Sequence, residues 1–453
     1  MGNLLASLGS SADAMEAMQR ALNVVQNNVT NASTPGYARQ RINLEAERFE
    51  LGTGLLGGVD ASNLINSRTG YLETAVRSQV ERWGRFAQQT DDLSQVEPIF
   101  DIAGGAGIAG ALDDLYQSFS QWSVAPNHLP SRQTVIQRAQ SMAQAFNFTA
   151  TSLSRLSNNA DTQLRTTVSS INAIAERIRG FNTELRRDSR AASDPGLDAQ
   201  IHVALEELSE LADVTVLKQD DGSYSIYLGG QTPLALGDST YPIGTDFSGP
   251  QAKIVDAQGN DITGQIQQGR LRGTLDFRNS FLPSVRTELN TLAQTVADRV
   301  NTLLAAGVDM NGQPPAVNLF SYNAGAGAAF TLAVTAIQPD QLAAATTAAP
   351  GGNANALALA SLATSKEIGG FSFSEYYGNI AARAGRSLAT ARQDARTQEL
   401  LVSQARTQRS EVSAVSLDEE AAYLVQFQRN YQAAAEMFRV INEMTESMIG
   451  LLR

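Results

Sequence analysis

Six residues, Gly105 to Gly110, read GAGIAG and precede an apolar run of helical spacing. A G-x-G-x-x-G turn at a helix start can bring backbone amides to a pyrophosphate, the chemistry of dinucleotide binding. That chemistry also needs a buried strand before the turn and, about 20 residues on, an acidic residue ending a second strand. Here the preceding SQVEPIF carries Pro98, and a helical run closed by Pro126 and Pro130 follows, so the hexapeptide reads as an interhelix loop. The two histidines, His128 between two prolines and His202 between Ile201 and Val203, are isolated. Neither an H-E-x-x-H zinc motif nor a Ser/His/Asp set can be assembled around them. Asp418, Glu419 and Glu420 could serve as paired carboxylates, but at the start of an apolar helical pattern they read as acids at the positive end of a helix dipole. Asn28, Asn31 and Asn147 head N-x-[ST] triplets, a pattern that carries little weight without a secretory signal. No catalytic residue, cofactor or metal site is expected.

Composition points the same way. The 453 residues are 43% hydrophobic but only 6% aromatic, and Ala, Gln, Ser, Thr and Asn fill the helical-looking stretches, which suits long exposed helices better than a catalytic core. A net charge of −12 disfavours nucleic acid, whose binding requires clustered positive charge. Cysteine is absent, which removes disulfides, thiol nucleophiles and Cys-based metal sites together. The first cationic residue is Arg20, so the N-terminus does not read as a signal peptide, and no run approaches the roughly 18 apolar residues of a membrane span. Membrane insertion is not expected, and any exit from the cell would use a route that does not read such signals.

The elements with the strongest signal lie at the two ends. Leu8, Met15, Leu22 and Val29 are seven apart, with Met18 and Val25 completing an a/d stripe. Near the C-terminus Leu424, Tyr431, Phe438 and Leu452 fall on one seven-residue series, with Thr445 its polar member. Phe427, Ala434, Ile441 and Met448 form the other. Ser416 is the expected N-cap of this last helix, with Glu419 as capping-box partner. Neither stripe can bury itself alone, so the two helices are expected to pair with each other or with neighbouring chains. Between them, helical spacing runs over 72–96, 108–122, 131–190 (one long helix or two in series), from about 197, and over 283–305, 356–364 and 374–411. From Asp213 to about Phe277 the period becomes two, with hairpin signals at QDDGS and at Gly259-Asn260.

The first helix stops in NNVTNASTPGYARQ, Asn27 to Gln40. Asn, Thr and Ser bond backbone locally, Pro35 biases Thr34 to an extended form, and Gly36 supplies turn freedom. Thr34, Pro35, Gly36 and Tyr37 therefore form a hinge between a terminal rod and the rest of the chain.

ALNVVQNNVTNASTPGYARQ resembles the N-terminal signature of the bacterial flagellar axial proteins (rod, hook and hook-associated), in which an Asn-rich helix end precedes Thr-x-Gly-Tyr. VSLDEEAAYLVQFQRNYQAAAEMFRVINEMTESMIGLL resembles their C-terminal signature. Its Asp-Glu-Glu-Ala-Ala start and its centre (Phe427, Gln428, Tyr431, Gln432, Ala433) are most similar to the hook-associated junction branch. LDDLYQSFSQWSVAPNHLPSRQTVIQRAQSMAQAFN and FSEYYGNIAARAGRSLATA are similar to that branch's body, and the likeness departs at Asp213 to Phe277.

The resemblance implies a nonenzymatic subunit, exported by the flagellar type III pathway and assembled as a ring joining hook to filament outside the cell. It implies as partners further copies of the chain, hook protein, a second hook–filament junction protein, and a cytosolic export chaperone at the C-terminal region. The expected fold is mainly α with a β-rich insertion. Residues 1–35 and 416–453 form a coiled-coil-like terminal layer, 36–212 and 278–415 a nested helical bundle, and 213–277 an outer β domain. The assembly face is expected at Met15, Leu22, Val25, Val29, Leu424, Phe427, Tyr431, Phe438, Ile441 and Met448. A hook or distal rod protein of the same axial group is the alternative reading, and a dinucleotide-binding enzyme the distant one.

Overall fold

The computed structural model describes residues 2–50, 55–100, 107–188 and 190–450. Its helices are α1 (Gly2–Asn31), α2 (Gly70–Ser94), α3 (Ile108–Val124), α4 (Leu129–Arg187), α5 (Pro195–Leu211), α6 (Gly269–Asp276), α7 (Leu282–Ala305), α8 (Ala328–Thr331), α9 (Ala354–Ser361), α10 (Phe373–Ser413) and α11 (Leu417–Gly450). The strands are short: β1 (Gln40–Ala46), β2 (Phe49–Glu50), β3 (Leu55–Leu56), β4 (Val59–Asn66), β5 (Val214–Lys218), β6 (Tyr224–Leu228), β7 (Thr232–Leu236), β8 (Ser239–Thr240), β9 (Gly244–Asp246), β10 (Lys253–Val255), β11 (Gly307–Val308), β12 (Phe320–Ser321), β13 (Ala333–Val334) and β14 (Ala345–Thr346). The chain is thus mainly helical with a small strand-bearing insertion, as the periodicity predicts. The long polar–apolar stretch after Pro130 is one 59-residue helix, α4. Pro130 falls in its first turn, where a missing N–H leaves no bond unmade, and no further proline interrupts it.

Contacts divide the chain into two compact units. One comprises Met1–Trp83, Ser170–Pro242 and Gln398–Arg453, the other Gly84–Ser169 and Ile243–Thr397. The second unit holds a continuous apolar core from α3, the first part of α4, α7, α9 and α10, including Leu115, Phe119, Phe146, Leu292, Phe373 and Tyr377. Each such side chain contributes about 1.5–3 kcal/mol by leaving water. Arg132 is buried beside this core with no carboxylate on it. Its Nε donates to the Pro126 carbonyl at 2.7 Å, its Nη1 donates to those of Pro339 and Leu342, and its guanidinium lies 5.3 Å from the Trp122 ring. A cation can be buried in this way because its donors are satisfied by carbonyls and an aromatic face.

In the first unit β5-β6-β7-β8 form an antiparallel sheet. The expected hairpin at QDDGS is present, with Gly222 at φ +83° and Asp221 accepting from Ser223 N. Asn182 on α4, fully buried, donates to the carbonyls of Tyr224 and Gly237 and accepts from Tyr224 N at 2.8 Å. The segment 213–277 divides between the units: β5 to β8 lie in the first, β9, β10 and α6 in the second. Its last part, read above as β, is helical. In α6, Leu271 and Leu275 are buried four residues apart, and Gly273 permits close approach, since a Cβ there would lie 2.7 Å from the Arg85 carbonyl oxygen. A π-helical turn, Phe277–Phe281, then joins α6 to α7.

Asp92 of α2 is buried, and its Oδ1 accepts from Gln88 Nε2 at 2.9 Å. Burial pushes its carboxyl up to about 7 from 3.8, the Gln88 bond opposing and Asp91 adding to the shift. Because the folded chain holds this proton more tightly, the group's stabilising contribution is full below the unfolded value near 3.8 and lost as pH rises through about 7. Asp92→Asn, which cannot ionise, should stabilise the second unit by roughly 1–3 kcal/mol at pH 8 and by less at pH 5. Urea denaturation at both pH values reads this, and a pH-independent difference would contradict it.

Candidate assembly interface

The face that α1 buries within the chain mixes small residues with larger ones. Ser11, Ala17, Met18, Ala21, Val25 and Asn28 are all buried, packed among α11, β1 and β4. Of the residues expected to form the assembly face, Val25 is buried at 4% exposure, Met15 and Leu22 are half-buried, and Val29 is 44% exposed. The a-series Leu8, Met15, Leu22 and Val29 therefore lies at the edge of the intrachain contact, not at its centre.

On α11 the expected stripe is the one turned inward, yet it is nowhere closed. Leu424, Phe427, Tyr431, Phe438 and Ile441 are each half-buried, and Met448 is 39% exposed. Beyond Glu420 none of the described residues of α11 is buried, and Leu452 lies outside the described residues. A second apolar set, Met437, Val440 and Met444, at spacings of three and four, is exposed elsewhere around the same helix. Contact between Asn28 near the end of α1 and Glu420 near the start of α11 makes the two helices antiparallel.

The chain leaves α1 through a turn. The helix ends at Asn31, before Pro35, and Tyr37 N donates to the Thr34 carbonyl at 3.1 Å. Pro35 and Gly36 are the central residues, and Gly36 has φ +74°, the pattern of a type II turn. A Cβ on Gly36 would sit 2.7 Å from both the Ala199 carbonyl oxygen and Val203 Cγ2, while Thr34 and Pro35 are exposed. The Gly36 carbonyl accepts from Arg68 Nη2 at 2.6 Å. Arg68 in turn bonds Glu73 and Asp198, and Arg409 bonds Glu73 and Glu206, so an ionic network underlies the turn. His202 belongs to these surroundings, not to a metal site. Burial, with Arg68, Arg77, Lys218 and Arg409 nearby, pushes its imidazole down to about 2, so it is neutral at physiological pH.

Immediately after the turn the two ends of the chain are tied together by polar side chains. Asn28, 1% exposed, donates to the Gln40 carbonyl at 2.9 Å and to Glu420 Oε2 at 3.1 Å, and its Oδ1 accepts from Gln40 N and from Tyr37 Oη. Arg39 Nε donates to Glu420 Oε1 at 2.7 Å and its Nη1 to Glu419 Oε2 at 2.6 Å. Arg39 N donates to the Ser413 carbonyl, and its guanidinium lies 5.5 Å from the Tyr423 ring. Burial would lower the Arg39 pKa, but its bonds to Glu419 and Glu420 outweigh this and hold it above its usual value. Burial, aided by the Glu420 carboxylate, pushes Tyr37 up to about 12.

Sequence reasoning missed this set. From sequence, Glu419 and Glu420 read as helix-start charge and Asn28 as part of a helix end. Ser416 does cap α11, its Oγ accepting from Glu419 N at 3.5 Å, but the Glu419 carboxylate is directed to Arg39. The only available signal was that residues flanking the turn and the acids opening the last helix are polar where a stripe begins. Among the other candidates, Asn28 is buried and Asn147 donates to the carbonyls of Ala329, Phe330 and Leu332. Gly105 and Ala106 lie outside the described residues, and Gly107 is the residue before α3.

Two half-covered terminal helices, locked at one end to a folded body, define a subunit built for assembly. The termini place it among flagellar axial proteins: residues 8–37 match the flagella basal body rod protein family, and 406–451 match the C-terminal family of the flagellar basal body rod FlgEFG proteins. Residues 93–320 match the helical domain of flagellar hook-associated protein FlgK, and the chain belongs to that family. Flagellar hook-associated protein 1 of Bacillus subtilis (strain 168) is 26% identical over 501 residues, covering 99% of each chain. That of Escherichia coli (strain K12) is 23% identical, covering 98% of this chain and 99% of its own. The structure of the flagellar hook junction protein FlgK from Burkholderia pseudomallei shares the fold, with a TM-score of 0.65 and 18% identity over 77% of this chain and 100% of that one. The protein is accordingly a structural protein of the flagellar hook–filament junction and not an enzyme, which removes the dinucleotide reading of Gly105 to Gly110.

Gly36→Ala forces a side chain into the left-handed region and onto the Ala199 backbone, so it should destabilise the first unit by about 2 kcal/mol or more. Pro35→Ala, at an exposed position, should cost less than about 1 kcal/mol. Chemical denaturation of the two variants compares them directly, and equal stability would show that the turn does not need glycine.

Proposed function

We propose that subunits of this protein assemble side by side as a ring between hook and filament, with residues 1–35 and 416–453 as its inner layer. The observation that carries this reading is α11. It runs 34 residues, carries an apolar stripe, and beyond Glu420 buries none of its described side chains within its own chain. A helix left in that state is marginal in water and gains its stability from neighbours. Met15, Leu22 and Val29 on α1, with Leu424, Phe427, Tyr431, Phe438, Ile441 and Met448 on α11, supply the apolar surface that neighbouring copies complete, and Val25 anchors the intrachain side.

The same reading places hook protein on one side of the ring and a second junction protein on the other. A cytosolic chaperone covers the C-terminal region before export, export uses the flagellar type III pathway, and the assembled protein lies outside the cell. The lack of cysteine suits a chain delivered unfolded, since no disulfide need form on arrival. Among the described residues no helix is long and apolar enough to cross a membrane. Thr34 to Tyr37 serve as the joint that directs the chain from the inner layer into the body.

Phe438→Asp or Ile441→Asp places a charge in the seam, where an unpaired charge costs several kcal/mol. Cells carrying either variant should keep hooks but lose filaments and release filament subunits into the medium, while Glu436→Lys, on the exposed face, should swim normally. Electron microscopy of hook–basal bodies distinguishes the outcomes. Intact filaments on the Asp variants would show that the seam lies elsewhere, and long tubes formed by the protein alone would favour a hook or rod role.

A further inference from the structure

The apolar seam between α1 and α11 does not define its own register. Along α11 the inward residues repeat every seven positions, Leu424, Tyr431 and Phe438 in one series and Phe427, Ala434 and Ile441 in the other. On α1 the buried and half-buried side chains recur every seven positions as well, Ala14 with Ala21, Met15 with Leu22 and Met18 with Val25, so the helix presents similar surfaces one heptad apart. Sliding α11 by one heptad, about 10 Å, would set similar residues against similar residues. Such a slip would change apolar burial little.

One contact cannot be repeated by sliding. Glu420 is 1% exposed, the sole residue of α11 in the buried class among those described, and its carboxylate bridges Arg39 Nε and Asn28 Nδ2. A slip of one heptad would bring Phe427 to this point and leave a buried guanidinium and a buried amide without their acceptor. The partners are themselves held by the body of the first unit: Arg39 N by the Ser413 carbonyl, the Arg39 carbonyl by Ser67 N at 2.9 Å, and Asn28 Oδ1 by Gln40 N and Tyr37 Oη.

We infer that Asn28, Arg39 and Glu420 form a register lock that selects one alignment of α11 on α1. The lock rests on the reading that these helices form the assembly layer, and it adds the device that makes every subunit present the same surface. With the alignment set, Met437, Val440 and Met444 occupy the same height in each copy, which identical contacts around a ring require. A buried polar contact that specifies alignment more than stability is an established use of such groups in helical pairs.

The absence of cysteine makes the register measurable. Counting in opposite directions from the Asn28–Glu420 contact places Ala14 beside Ala434, and a one-heptad slip places Ala21 there instead. Full-length chains carrying Ala14→Cys with Ala434→Cys, or Ala21→Cys with Ala434→Cys, are equilibrated in a glutathione redox buffer and the intrachain disulfide is quantified. The in-register pair should close about tenfold more than the slipped pair. Adding Arg39→Met with Glu420→Leu, which removes both charges together, should bring the ratio near one. Asn28→Ala alone, with charges kept, should lower it about threefold. Far-UV dichroism and proteolytic resistance of α4 verify that the body is folded in each variant. An unchanged ratio in both lock variants would overturn the lock and leave the helix pairing standing. If neither pair closes in the parent chain, the helix pairing is overturned, and with it both readings.

Discussion

The buried pair of Arg39 and Glu420 is the constraint around which the first unit is organised. The two residues lie 381 positions apart, and nothing local in either segment requires the other. A guanidinium at 5% exposure and a carboxylate at 1% can share an interior only when each supplies what the other lost on leaving water. Meeting that condition brings the end of α1, the residues after the turn, the end of α10 and the start of α11 to one point. Asn28 completes the junction by using both its donor and its acceptor capacity on backbone and side chains around it.

Both units bury apolar side chains, and the first adds an ionic network. In the second, a continuous apolar core built on α4 and α7 carries the fold, and buried polar groups such as Arg132 are satisfied by carbonyls around it. In the first, Ile171 and Ile178 of α4, Leu205 and Leu208 of α5, and Ile226 and Leu234 of the sheet are fully buried, and an ionic network through Arg68, Glu73, Asp198, Glu206 and Arg409 is added beneath the turn. Networks of this kind hold directional geometry because each bond has a preferred distance and angle. Strict geometry is needed where a turn of fixed shape launches the chain away from α1, and less so where a bundle has only to pack.

Beyond Glu420, α11 buries none of its described residues. A helix that satisfied its apolar stripe within its own chain would have nothing left for neighbours. A helix fixed at its first turn by Glu419 and Glu420, and open thereafter, is oriented without being saturated. The small residues on the buried face of α1 contribute to this, since alanine lets two helices approach closely while adding little apolar area of its own. The exposed methionines along α11 suit such a surface, because an unbranched thioether adapts to differently shaped partners.

Most of the elements are legible in the sequence alone. Helical periodicity places α1, α2, α3, α4, α5, α7, α10 and α11 close to their observed bounds, the period of two places β5 and β6 with the hairpin between them, and Pro35 with Gly36 marks the turn. Each of these follows from forces acting within a few residues: side-chain period, capping, and the backbone limits of proline and glycine. The signatures at the two ends were legible too, as a likeness to a family of assembling proteins. Tertiary structure alone decided which residues of α1 face inward, that Gly269–Asp276 is helical, and that Glu420 meets Arg39. A heptad allows several faces of nearly equal apolarity, so the choice falls to the neighbours actually present. A salt bridge between residues hundreds of positions apart leaves no periodic trace in either, because its partner is set by the path of the whole chain.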